Sequence, residues 1–550
     1  MNYAYDLGAY SRKITTASEA AQAWFDRGLV WCYGYNHEEA LRCFAAAAKA
    51  DPGCAMAQWG LAYAAGPNYN KQWAAFDALD LKTSLAAARA ATLRALSLLD
   101  KASPAERALI EPLAKRYPSA DPTLVTTIWN DDYAAAMREV YRGFPGDPDV
   151  AALFAEAIMN RTPWLLWDIK QGVPAEGADT AEAIAVLERA MAQPGGMEHA
   201  GLLHMYVHLM EMSPHPERAL KAGDALRTLV PDAGHLVHMP THIDVLCGHY
   251  RDVIDWNIRA CAADEKYLAK EGALNFYTLY RCHNYHFRIY GAMFSGQSGE
   301  ALLAAQQMEA TIPEELLRVE SPVMADFIEA FVPMRMHVLI RFGKWRDIIA
   351  EPLPSDWTLY CVTTAVLHYA KAIAHAGLFN VAAAESEAAL FDAALARVPA
   401  SRTLFNNVCH DILAVAAEMM RGEIEYRKFN YDKAFALLRN AVRLYDDMRY
   451  DEPWGFMQPV RHALGALLLE QGRVEEAEAI YRADLGFDNT LSRACQHPGN
   501  VWSLHGLHEC LTRLKRPAEA AMVKQQLDIA VARADVPIEA SCFCRTRTAA

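Results

Sequence analysis

The chain has 550 residues, 53% of them hydrophobic, and a formal net charge of −14. That is ample material for a long core, and an acidic balance without any long basic run argues against a nucleic-acid partner. The first residues lack the basic-then-apolar order of an export signal, and no uninterrupted apolar stretch is long enough for a membrane helix. A cytoplasmic protein without membrane contact is therefore expected, its twelve cysteines reduced and mostly buried.

The first element legible in the chain is a helical hairpin over residues 21–54. Gly28, Trp31, Ala40, Phe44, Ala47 and Pro52 stand at the offsets of a tetratricopeptide repeat. The small residues let two antiparallel helices approach, the large ones fill the gap, and the proline stops the second helix. Two irregular stretches follow: the aromatic run Gly66 to Trp73, and an insertion over 160–180 that carries Trp164 and Trp167. Such insertions gather on the binding face of repeat proteins, so these tryptophans line a pocket or else cover a core edge.

Three helices then carry close histidine pairs. Gly201 to Met212 holds His204 and His208. The helix opened by Pro240 and capped by Gly248 holds His242, with His238 just before it. A third, from about Leu274, holds His283 and His286. Spacings of three and four place two side chains on one helix face. Equivalent helices of successive repeats line one groove, so the six imidazoles are expected to converge. Second helices are marked by Ala219 with Pro231 and by Ala301 with Pro313. Further copies of the repeat spacing occur at Gly422, Ala434 and Ala441, at Gly465, Ala477 and Tyr481, and at Trp502, Gly506 and Ala518. Strand signals are nearly absent. The expected fold is all-α, a right-handed α-solenoid of tetratricopeptide-like hairpins running as one continuous unit over 1–550. Its clearest repeats are 21–54, 200–320 and 415–530.

Imidazoles in this pattern suit copper, iron or zinc rather than magnesium or calcium. Glu211 and Asp244 lie on the same helices as possible carboxylate ligands, and His199, His215, His235 and His249 flank the cluster as ligands or as donors behind them. With a metal in place, Arg281 would hold a substrate carboxylate, Tyr277 and Glu211 would join the chemistry, and Trp164, Trp167 and Tyr280 would position a small-molecule substrate. The matching reaction classes are metal-assisted oxidation and zinc-assisted hydrolysis. The alternative, from a different class, is a scaffold that binds a protein or peptide in its groove without catalysis.

Other signals are weaker. His505, His508 and Glu509 share a helix face after His497 and read as packing, and Cys542 and Cys544 read as a redox-active or a metal-delivery pair. His37-Glu38-Glu39 belongs to the first repeat's turn. No phosphate-cradling G-x-x-x-x-G-K-[ST], no G-x-G-x-x-G after a strand, no H-E-x-x-H and no G-x-S-x-G occurs.

The stretches FDRGLVWCYGYNHEEALRCF, CAMAQWGLAYAAGPNYNK, GLLHMYVHLMEMSPHPERAL, GHLVHMPTHIDVLCGHY, NFYTLYRCHNYHF and VPIEASCFCR resemble bacterial and fungal tetratricopeptide-repeat proteins distantly similar to tetratricopeptide repeat protein 38. The resemblance covers essentially the whole chain. It implies the α-solenoid and brings no activity to these positions.

Overall fold

A computed structural model describes residues 3–545. The described residues are mostly helical with almost no strand, and the helices pack as successive hairpins, as the repeat spacing predicts. They gather into two compact units, Met1–Ile243 with Arg259–Gly272, and Asp244–Ile258 with Ala273–Ala550. No helix among the described residues is long and apolar enough to cross a membrane.

In the first unit, α1 (Glu19–Tyr33) and α2 (His37–Ala50) form the first hairpin, and α3 (Ala55–Ala65) packs against both. Phe44 is fully buried, and its ring occupies the space that a β-carbon on Gly28 or Gly60 would need. The glycines are the reason a phenylalanine fits between these helices. The turn after α1 is closed by Tyr35 in the left-handed region, and the Asn36 side chain caps α2 by accepting from the Glu39 amide.

The helix that carries the first histidine pair, α4 (Ala200–Glu211), lies against α1. A β-carbon on Gly201 would sit 2.6 Å from the Tyr33 ring, so that ring lies directly on the α4 backbone. Replacing Gly201 with valine should therefore cost about 1–3 kcal/mol through overpacking, read as a lower denaturant midpoint. An unchanged midpoint would show that the two helices can separate freely.

Two short helices follow, α5 (Gly234–His238) and α6 (Pro240–Cys247). His238 therefore ends a separate short helix, where the sequence suggested only a lead-in to α6. The insertion over 160–180 contains a small ladder in which Trp167–Asp168 pairs antiparallel with Val173–Pro174.

The second unit continues the hairpins with α7 (Thr278–Phe294) and α8 (Ser298–Ala310), and with α9 (Met334–Arg341). Four more pairs follow: α10 (Cys361–Gly377) with α11 (Val381–Leu395), α12 (Cys409–Arg427) with α13 (Tyr431–Asp446), α14 (Val460–Glu470) with α15 (Val474–Leu485), and α16 (Val501–Arg513) with α17 (Pro517–Val531). Tyr481 here plays the part of Phe44, its buried ring filling the space opposite both Gly465 and Gly506.

Candidate metal centre

In the first unit, α4, α5 and α6 bring five imidazoles together. His204, His208, His235, His238 and His242 are each at most 1% exposed. Ring centroids lie 4.7 Å apart for His204 and His208, 4.9 Å for His204 and His235, and 6.2 Å for His208 and His235. One ring nitrogen from each of these three falls within 4.8 Å of the other two. His235, expected to flank the pairs as a ligand or as a donor behind them, lies beside His204 and His208. His238 and His242 lie just outside, with their Nε2 atoms 2.9 Å apart.

The hydrogen bonds behind the rings decide which nitrogen faces the centre. Nδ1 of His204 is 2.6 Å from the carbonyl oxygen of Tyr33, near the end of α1. Such terminal carbonyls have no partner within their own helix. A carbonyl only accepts, so Nδ1 carries the proton and Nε2 keeps its lone pair. Nδ1 of His208 lies 2.9 Å from one oxygen of Glu211, whose other oxygen is 2.7 Å from Nδ1 of His242. Nε2 of His204 and Nε2 of His208 are buried and make no hydrogen bond.

Burial holds both rings neutral. It drives His204 well below the ordinary histidine range, with further lowering from His208 and His238, and takes His208 down to about 3. The same burial pushes the Glu211 carboxyl well above its usual range.

Aromatic side chains wall the cluster. Tyr35 lies 4.7 Å from His204, 5.9 Å from His208 and 5.7 Å from His235, with its hydroxyl donating to Met205 Sδ. Tyr69, from the irregular run 66–73, lies 5.1 Å from His208 and 5.2 Å from Trp164, which itself lies 5.6 Å from His208. Trp167 turns its indole N–H onto the Leu209 carbonyl and so braces α4. Both irregular stretches therefore contribute to the walls, Tyr69 and Trp164 directly and Trp167 through the helix.

The remaining candidates are placed as follows. His199 is spent as a cap: its Nδ1 accepts from the Leu202 amide, and its Nε2 bonds Asp149. His215 is exposed and paired with Glu217. In the second unit, exposed His249 lies 3.7 Å from Asp244. His283 packs on Phe287 and Phe405, and Nε2 of His286 lies 2.7 Å from Met457 Sδ, beside Phe331. Tyr277 stacks on Tyr280, and Arg281, fully buried, donates to the Thr278 hydroxyl and the Thr311 carbonyl.

The second unit also holds a buried polar network that sequence reasoning missed. Asp484 accepts from His462 Nε2 at 3.0 Å, His497 Nδ1 at 2.8 Å, the Asn500 amide at 3.0 Å and the Ser503 hydroxyl at 2.6 Å. Arg341 donates to His462 Nδ1, which fixes that ring as the neutral Nε2–H form. Burial accordingly lowers His462 to about 4, while its ring and that of His497 help hold Asp484 well below the carboxylate range. Both oxygens of the Asp484 carboxylate are served, and His497 Nε2 also lies 3.2 Å from the Tyr290 hydroxyl.

No protein-family model and no curated protein matches the chain. Among solved structures, it is similar to yeast Tom70, at 11% identity over 92% of this chain and 96% of that one, with a TM-score of 0.30. It is also similar to a chain of Naa15/Naa10 bound to HypK-THB, at 12% identity over 94% of this chain and 84% of that one, with a TM-score of 0.23. Likeness this distant has no bearing on function.

Proposed function

We propose that the first unit is a metal-binding unit that holds one transition-metal ion, zinc, copper or iron, on His204, His208 and His235. The observation that carries this reading is the pair of buried, unpartnered Nε2 atoms on His204 and His208, each on a ring whose Nδ1 is tied down behind it. A metal-ligating histidine commonly has its second nitrogen bound to a carbonyl or a carboxylate. Tyr33 and Glu211 supply one of each. Rings kept neutral by burial are ready to bind at any ordinary pH, since protonation does not compete with the metal.

The three ring nitrogens, within 4.8 Å of one another, would move inward to make metal–nitrogen bonds of about 2.0–2.1 Å. Three imidazoles leave a fourth position for water or another small ligand, the arrangement used in metal-assisted hydrolysis and oxidation. A bound dication also answers the charge problem of Glu211, because it favours the ionised carboxylate that burial alone disfavours.

Protein purified without a histidine tag and analysed for metals should contain close to one equivalent of copper, iron or zinc. His204→Ala/His208→Ala protein of unchanged helical content should contain none. If the wild-type protein is metal-free and remains so after reconstitution, the proposal fails. A repeat scaffold for a protein or peptide partner would then be the reading left.

A further inference from the structure

The last described residues of the second unit do not continue its hairpins. After α17 ends at Val531, residues 534–545 run without helix, and over 534–540 they alternate between half-buried and exposed. Ala534, Val536, Ile538 and Ala540 face inward, and Asp535, Pro537 and Glu539 face solvent. A period of two is the mark of an extended chain lying on a surface. The chain returns across the first helices of several hairpins, or the turns that end them, and makes contacts at each.

At its start, the Asp535 amide donates to the Gly296 carbonyl, and its carboxylate accepts from the amides of Ser298 and Gly299 at the head of α8. In the middle, the Ser541 hydroxyl donates to the His462 carbonyl and meets the Tyr481 hydroxyl at 2.5 Å. The Phe543 ring lies over Gly343, where a β-carbon would come within 2.9 Å of it and where φ is +63°. At its end, Arg545 forms a two-pronged ion pair with Glu509 on α16.

Two buried arginines grip the main chain between these points. Arg341, on α9, donates to the Ser541 carbonyl at 2.6 Å, and Arg427, on α12, donates to the Cys544 carbonyl. They are 5% and 6% exposed, and neither forms an ion pair with a carboxylate among the described residues. Burying a guanidinium without a carboxylate is costly, so these cations depend on carbonyl acceptors. Arg341 has His462 Nδ1 and Arg427 has the Ala376 carbonyl as one acceptor, and the tail supplies each with a further carbonyl, so it is recognised in part through its backbone, as an extended peptide is.

We propose that this face of the second unit is a peptide groove, and that the chain's own segment 534–545 is its resident, displaceable occupant. A competing partner is an extended peptide with an acidic residue near its start, an aromatic residue towards its end and an arginine two positions later. Small residues, as at 540–542, directly precede the aromatic one, so that Arg341 can reach the main chain there. The inference is independent of the metal site, which lies in the other unit.

The test uses a fluorescent synthetic peptide of sequence 534–545, closed by the Cys542–Cys544 disulfide that the structure contains. It is titrated into full-length wild-type protein and into full-length Asp535→Ala/Arg545→Ala protein, whose own tail is held less firmly. The variant should bind the peptide at least tenfold more tightly than wild type, and adding Arg427→Ala should abolish that binding. Equal affinity for both proteins, or no binding to a variant of unchanged helical content, overturns the proposal. Should the variant not fold, hydrogen exchange on the wild-type protein decides. Excess peptide should speed exchange of the amides in 536–545, and unchanged rates overturn the proposal.

Discussion

Asp484→Asn protein should be less stable than wild type by about 3–5 kcal/mol, read as a lower midpoint in urea. The substitution preserves shape, and its cost arises from hydrogen bonding and charge. Asp484 accepts from two imidazoles, an amide and a hydroxyl, all buried. An asparagine retains one acceptor oxygen and no charge, and its NH₂ group faces a group that now donates to the carboxylate. The Arg341 bond to Nδ1 blocks His462 from reversing its proton to suit the new partner. A loss below about 1 kcal/mol would mean that the network rearranges and that its donors find other acceptors. The predicted loss has a sign in pH as well. The Asp484 carboxyl lies well below its unfolded value near 3.8, so its contribution is complete above that pH and fades as pH falls below it.

The contrast between Asp484 and the first-unit histidines shows which features a sequence displays. His204 and His208 were legible because four residues along a helix is a geometric statement about one face. The Phe44 packing was legible because Gly28 and the downstream proline fix the hairpin offsets around it. His235 is legible only as a flanking ligand or donor because its helix, Gly234–His238, is too short to show a period. Tyr33 contributes only a carbonyl, which no side-chain pattern reports. Tyr35 and Tyr69 arrive from a turn and an irregular run, although the aromatic excess of 66–73 pointed to that segment. Asp484 is one acid on an ordinary amphipathic helix, and its four partners come from positions 462, 497, 500 and 503. Only tertiary packing assembles that set.

Glu211 faces the same kind of partners as Asp484, yet Glu211→Gln should behave in the opposite way. Asp484 has four donors to support its charge. Glu211 has two imidazole nitrogens, at 2.9 and 2.7 Å, and burial moves its carboxyl towards the neutral form. A glutamine is close to that neutral state in shape and charge, and each imidazole can shift its proton to suit an amide. Metal-free Glu211→Gln protein should therefore keep its stability to within about 1 kcal/mol. Metal binding is where the substitution should act. The amide places no negative charge behind His208 and does not hold the proton on its Nδ1, so affinity should fall about 10–100-fold in a competition titration against a chelator. Unchanged affinity would show that Glu211 does not orient a metal ligand. A large loss of stability without metal would show that its charge is needed by the fold itself. The pair of outcomes separates a carboxylate that serves a cation from one that serves the core.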